Sequence, residues 1–413
     1  MKVFKFGGAS LKSPDGIRNV ASIIGSSPQQ LLVVVSAMGK TTDMLERICH
    51  LASTKQEYTS TVEALTRYHT DTVASLFSDP APINTAVLQV IDTMVSELGK
   101  SGDPDQIYDQ VVCFGELLSS VIVFHYLRSQ LPSTVWIDAR DYVCTDSTFR
   151  EGKVNWKATE AKIAGLRDTL QSNVVITQGF IGRTPEGLTT TLGREGSDYT
   201  AAIFTASLNA ESLTIWKDVA GVMNADPRKY PHPIIFEELP FKEAAEMTYY
   251  GASVIHPKTI KPLANKRIPL LVKNFEDPSL PGTRIHECVV EHLPPLIVWK
   301  ENQCLISCKV TDYTFISEDQ LRLIFTTLME LDIRINVMQN SAITFSFCID
   351  FRESKVTKLI AKLQPSFEVY YNTGLTLITV KNYDTKTFEA FRNQPGVLLE
   401  QSSRSTLQVL VRK

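Results

Sequence analysis

The residues best suited to chemistry lie between Gln178 and Ala202, where Gly179, Gly182, Gly187, Gly193 and Gly196 are interspersed with Thr189-Thr190-Thr191, Arg194, Ser197 and Asp198. An apolar run, Val174-Val175-Ile176, precedes them, and an alanine-rich helical pattern begins at about Tyr199, so the segment reads as strand, open loop and helix start. Glycine lets a backbone approach a ligand closely, and N–H groups and hydroxyls at a helix N-terminus suit an anion such as phosphate. Ser197 and Asp198 also have the chemistry of helix N-caps. A solvated turn has the same composition, so the accompanying loops decide the reading.

Three further strand ends repeat the theme. Lys5 closes the strand Val3-Phe4-Lys5-Phe6 and is followed by Gly7-Gly8-Ala9-Ser10. In an open α/β sheet ligands bind at the carboxyl ends of strands, so Lys5 is placed to reach a phosphate with the Gly-Gly backbone beside it. The second strand runs into Ser36-Ala37-Met38-Gly39-Lys40-Thr41-Thr42-Asp43, and Ile215-Trp216 runs into Lys217-Asp218 and on to Asp226-Pro227-Arg228. Asp226-Pro227 is most simply a turn. Glu116 opens a helix after Cys113-Phe114-Gly115, where favourable interaction with the helix dipole is a sufficient ordinary reason for an acid. The chain has neither a GxxxxGK[ST] loop nor a GxGxxG after a strand, which excludes kinases with those signatures but not phosphoryl transfer.

These loops need a scaffold with adjacent strand ends. Continuous apolar runs at 31–35, 135–137, 174–176, 213–216 and 270–272 suit parallel strands covered on both faces. Helical stretches fall between them at 43–78, 84–98, 115–129, 156–171, 198–208, 241–250 and 257–265. The expectation is an open, mostly parallel α/β sheet sandwiched by helices over residues 1–293. Pro294-Pro295 reads as a linker. After it, strand at 304–310, helix at 318–331, strands at 334–340 and 343–350, helix at 355–363 and strand at 369–380 give the order βαββαβ. A helix at 385–392 and strands at 397–401 and 406–411 resemble a trimmed second copy. The expected modules span about 300–368 and 369–413.

Composition narrows the partners. Among 413 residues, 42 Lys and Arg stand against 45 Asp and Glu, a formal charge of -3 without a basic block. That argues against nucleic acid and for a small molecule. The seven cysteines are scattered without CxxC pairs, as expected for reduced buried thiols, and no metal-ligand cluster is apparent. No uninterrupted apolar run reaches the roughly 18 residues of a membrane helix, and no signal core precedes the first strand, so a cytoplasmic protein without membrane contact is expected.

Taken in order, Lys5-Phe6-Gly7-Gly8-Ala9-Ser10, Val34-Val35-Ser36-Ala37, Gly115-Glu116, the run from Thr190 to Ala202, Lys217-Asp218-Val219, Asp226-Pro227-Arg228 and Gly251-Ala252-Ser253-Val254-Ile255-His256-Pro257 resemble the signature set of aspartate kinases, of the amino acid kinase superfamily. The resemblance spans roughly residues 1–285, and the C-terminal pattern is similar to the paired, ferredoxin-like α+β ACT modules of those enzymes. It implies transfer of the γ-phosphoryl of MgATP to the side-chain carboxylate of L-aspartate, the first step towards lysine, threonine and methionine. It implies Lys5 and Asp198 as catalytic residues, and Thr41, Glu116 and Arg194 as substrate contacts. Lys5, Phe6, Gly7, Gly8, Lys217, Asp218, Met223, Arg228, Ser253 and Val254 would fall on nucleotide-contacting positions. A homodimer or larger assembly under feedback control is implied, with lysine as the favoured effector. The chain departs from the family pattern at Ala9 (threonine), Glu195 (glycine), Met223 (aromatic) and Ser253 (lysine), the last of which would remove a phosphate-facing charge unless Lys217 or Lys258 takes its place. A different carboxylate kinase of the superfamily and a catalytically weakened amino-acid sensor remain alternatives.

Overall fold

The computed structural model describes residues 1–27, 30–100, 102–252, 255–312 and 314–412. The expected contacts at Ser253 and Val254 lie outside these. The chain divides into two compact units, Met1–Val222 with Ile235–Ala245 and Val254–Val290, and Met223–Ile234 with Glu246–Ser253 and Glu291–Lys413.

The first unit is built on an eight-stranded sheet in the order Thr134–Trp136, Val174–Gln178, Leu31–Val35, Lys2–Phe6, Ser212–Lys217, Leu270–Asn274, Thr283–His286, Glu238–Pro240. The first six strands are mutually parallel, and only Thr283–His286 runs against its neighbour Leu270–Asn274. Leu31–Val35 is buried throughout, the state that a continuous apolar run demands. Burying each such side chain contributes about 1.5–3 kcal/mol. Because neighbours are parallel, Lys5, Ser36, Gln178 and Lys217 all sit at one end of the sheet, which is why the polar loops converge.

The helical stretch expected at 43–78 is two helices, Thr41–Ser53 and Thr59–Leu76, parted where Lys55 takes a left-handed φ of 56°. Two helices without a sequence expectation, Gly8–Leu11 and Pro104–Val112, flank the polar end. Pro104–Val112 and the following Phe114–Gln130 together are long and apolar enough to cross a membrane by length and composition alone, which corrects the expectation from uninterrupted runs. Gly115, Glu116, Ser119 and Ser120 break the run without lowering its average much. The stretch is mostly buried in the fold, and Phe114, Leu117, Leu118, Ile122 and Val123 pack into the main core, as in the core helix of a globular unit.

The second unit carries a six-stranded antiparallel sheet, ordered Ile335–Asn340, Thr344–Asp350, Leu296–Lys309, Glu368–Lys381, Thr406–Arg412, Val397–Ser402. Its two 14-residue strands each serve two modules. Residues 303–309 of the first pair with Thr344–Asp350, and, across a register break at 300–303, residues 296–300 pair with 377–381. The smaller module therefore draws a strand from before the larger one, with Ile297, Ile378, Val380, Phe391, Leu407 and Val409 in its core. Ala225 joins that core and the Ile297 N–H donates to the Asn224 carbonyl, which ties 223–234 to this unit.

Candidate active site

Around the polar end of the first unit is a cavity of about 720 Å³ whose wall includes Lys5, Gly8, Ser36, Ala37, Thr42, Glu116, Phe180, Arg194, Glu195, Asp198 and Lys217. At its centre Asp198 is bridged by two cations, with Lys5 Nζ 2.6 Å from Oδ1 and Lys217 Nζ 3.4 Å from Oδ2. Burial works to raise the Asp198 carboxyl, but the Lys5 and Lys217 charges outweigh it and hold the group below the usual carboxylate range. The helix Gly196–Leu208 delivers Asp198 in its first turn. Ser197 and Asp198 are thus inside the helix rather than capping it, and the cap position is Glu195, which makes no side-chain cap bond. Asp198 is committed to the lysines.

Close backbone approach shapes the loops. The Gly39 N–H donates to the Gly8 carbonyl at 3.1 Å, and a Cβ on Gly8 would stand 2.7 Å from the Ala37 carbonyl oxygen, so only glycine fits there. Glu195 sits at φ 53°, a left-handed conformation that glycine adopts freely and other residues adopt at a cost. Burial pushes its carboxyl up against the pull of Lys217, and Oε2 is buried without a hydrogen-bond partner.

Across the cavity Glu116 is 3% exposed and accepts the Ala37 N–H at 3.2 Å through Oε1, while Oε2 is buried without a partner. Burial pushes its carboxyl up to about 8, against the opposing effects of the Ala37 N–H and of Lys5. A buried acid with an unused oxygen on a cavity wall is a receptor for a cationic group. Arg194, exposed at the same wall, offers a planar fork for a carboxylate.

The structure therefore brings Lys5, Gly8, Glu116, Arg194, Asp198 and Lys217 together. Gly7 is adjacent, since a Cβ there would lie 3.4 Å from Lys5 Nζ. Phe6 points away from the cavity and stacks on Trp216 at 5.9 Å. Thr41 is fully buried behind the wall, its hydroxyl 3.4 Å from His69 Nε2, and on that helix Thr42 is the hydroxyl-bearing residue that reaches the wall. Adjacent residues on a helix point about 100° apart, so a one-residue difference moves the contact from core to cavity. Asp218 is exposed, and Arg228 engages Asp226 through N–H, Nε and Nη2 in a turn. Among the described residues, neither these two nor Met223 belongs to the cavity wall.

Sequence reasoning missed Glu46, Tyr108, Arg150 and Glu151 on the wall. Glu46 follows Thr42 by four residues on one helix, a spacing that could have revealed it. The others have no local signal. Arg150 lies 3.9 Å over the Tyr108 ring, and the Tyr108 hydroxyl donates to Glu46 at 2.5 Å. Buried Asp109 gathers them by accepting the Arg150 N–H and the N–H and hydroxyl of Thr191.

Comparison with known proteins places this geometry in a lineage. Residues 1–274 match the model of the amino acid kinase family. The chain is 30% identical over 396 residues to lysine-sensitive aspartokinase 3 of Escherichia coli, covering 92% of this chain and 87% of that one. It is 31% identical over 390 residues to the chloroplastic bifunctional aspartokinase/homoserine dehydrogenase of Daucus carota, and there it spans only 42% of the relative's length. The crystal structure of E. coli aspartokinase III with aspartate and ADP superposes with a TM-score of 0.85 at 27% identity, covering 100% of this chain and 96% of that one. The chain belongs to the amino acid kinase family and, within it, to the aspartokinases.

Proposed function

We propose that this chain transfers the γ-phosphoryl of MgATP to the side-chain carboxylate of L-aspartate, giving 4-phospho-L-aspartate at the head of the aspartate-derived amino-acid pathway. The observation that carries the reading is the Lys5–Asp198–Lys217 cluster facing Glu116 and Arg194 across one cavity. A carboxylate with a pKa of about 3.9 is already ionised near neutral pH, so the attack requires no general base. Catalysis then reduces to positioning and to stabilising charge on the phosphoryl oxygens. Lys5 supplies that charge beside the Gly7-Gly8 backbone, Asp198 keeps it in register, Arg194 takes a substrate carboxylate and Glu116 takes the ammonium. The N-terminus of the Gly196–Leu208 helix adds a favourable dipole for phosphate.

Magnesium fits as an ion carried in on the nucleotide phosphates. Among the described residues no group of three or more His, Cys, Asp or Glu could cage a metal, and Mg²⁺ in such sites commonly uses phosphates, waters and one or two carboxylates. Glu195, whose Oε2 is buried without a hydrogen-bond partner at the cavity wall, is the carboxylate that would hold it. When bound, the ion neutralises phosphate charge.

The E. coli structures with aspartate and ADP, and with lysine and aspartate, support an aspartate substrate and a lysine effector here. The antiparallel second unit is the expected seat of the effector, in a homodimer or larger assembly. ADP release should depend on aspartate, not on glutamate or N-acetylglutamate, and lysine should inhibit more than threonine or methionine. ADP release that is indifferent to aspartate would overturn the reading.

A further inference from the structure

We infer that Lys217 is a second catalytic lysine, placing a further cation beside Lys5 where the transferring phosphoryl group is met. Lys5 lies opposite Ile215 in the parallel pairing of Lys2–Phe6 with Ser212–Lys217. Side chains alternate along a strand, so Lys217, two residues beyond Ile215, projects from the same face as Lys5. Phe6 and Trp216, also opposite one another, stack on the other face. The two ammonium groups therefore meet the same carboxylate, at 2.6 and 3.4 Å, on the same cavity wall.

The charge balance gives this arrangement its function. The charge that Lys5 offers to an incoming triphosphate is partly offset by its pairing with Asp198. Lys217 brings a second cation to that carboxylate, in a site where the side chains of Asp198, Lys5 and Lys217 are only 3%, 10% and 21% exposed. At that depth solvent screens it weakly.

The proposal rests on the phosphoryl-transfer reading, and the test separates the two. The variants are Lys217→Met and Lys217→Arg, read by turnover with saturating aspartate, by aspartate KM, and by binding of MgADP against a non-hydrolysable ATP analogue. Loss of one such stabilising donor lowers turnover about 10²–10³-fold. Lys217→Met should show that loss, with aspartate KM within about threefold and the preference for the triphosphate over MgADP reduced. Lys217→Arg should recover part of both, and it serves as the folded variant if Lys217→Met does not fold. Turnover and triphosphate preference both near wild type in Lys217→Met would overturn the assignment, as would an Arg variant no better than Met. A wild-type protein that binds nucleotide but ignores aspartate would sink the substrate reading alone, and the binding ratio would still test Lys217.

Discussion

Replacing Glu116 with Gln should stabilise the protein while impairing it. The Glu116 carboxyl is moved by burial from 4.5 to about 8, so between those values the folded chain holds a proton that the unfolded chain has released. Stability is then fully present below about pH 4.5 and declines as pH rises to about 8. At about 1.4 kcal/mol per pH unit, the penalty reaches about 3 kcal/mol at pH 7 and about 5 kcal/mol at pH 9. Gln keeps an oxygen for the Ala37 N–H and carries no charge to desolvate, so urea midpoints should coincide near pH 4.5 and favour Glu116→Gln increasingly towards pH 9. Aspartate affinity should move the other way. An ammonium prefers the ionised carboxylate, so the wild-type KM should fall about tenfold per pH unit up to about pH 8, and then level off. Glu116→Gln should abolish that slope and raise KM about 10–100-fold at pH 8, the worth of a charged hydrogen bond. Parallel midpoints at pH 5 and pH 9, or a KM slope that survives in the variant, would refute the reasoning.

Other expectations follow from single features of the site. Glu195→Gly should raise the unfolding free energy by about 1 kcal/mol, because glycine occupies the φ of 53° without strain, and a lower denaturant midpoint would count against it. Gly8→Ala should destabilise by about 1–3 kcal/mol and abolish turnover, since the new methyl would meet the Ala37 carbonyl oxygen at 2.7 Å, and a fully active variant would show that the two loops separate readily. His69 is held neutral by burial, its pKa lowered from 6.5 to about 4, so its contribution is present above pH 6.5 and is lost as pH falls through 4. His69→Gln should flatten that acid limb by about 3 kcal/mol, measured by unfolding between pH 4 and 7, and an unchanged limb would place the acid sensitivity elsewhere.

Much of the scaffold was legible because local pattern and tertiary role coincide. The five apolar residues at 31–35 form a central parallel strand, and the strand-loop-helix reading around Thr189–Tyr199 located Asp198 and Arg194. Prediction weakened where the pattern was averaged or shared. The apolar stretch through Glu116 needed its tertiary packing to be placed in the core, and the strand Leu296–Lys309 serves two modules that the sequence order separates.

By itself the sequence marked the strand ends that carry glycine, hydroxyl and charge, since those are local properties, and its resemblance to aspartate kinases named Lys5, Glu116, Arg194, Asp198 and Lys217 among a longer set of candidates that also held Thr41, Asp218, Met223 and Arg228. Only the tertiary structure decided how those charges balance. It put two lysines on one carboxylate, buried Glu116 deeply enough to raise its pKa to about 8, turned Thr41 inward and Thr42 outward, and brought Tyr108 and Arg150 to the wall. Desolvation and Coulomb interaction depend on distance and burial between residues remote in sequence, and those quantities exist only once the sheet and helices have packed.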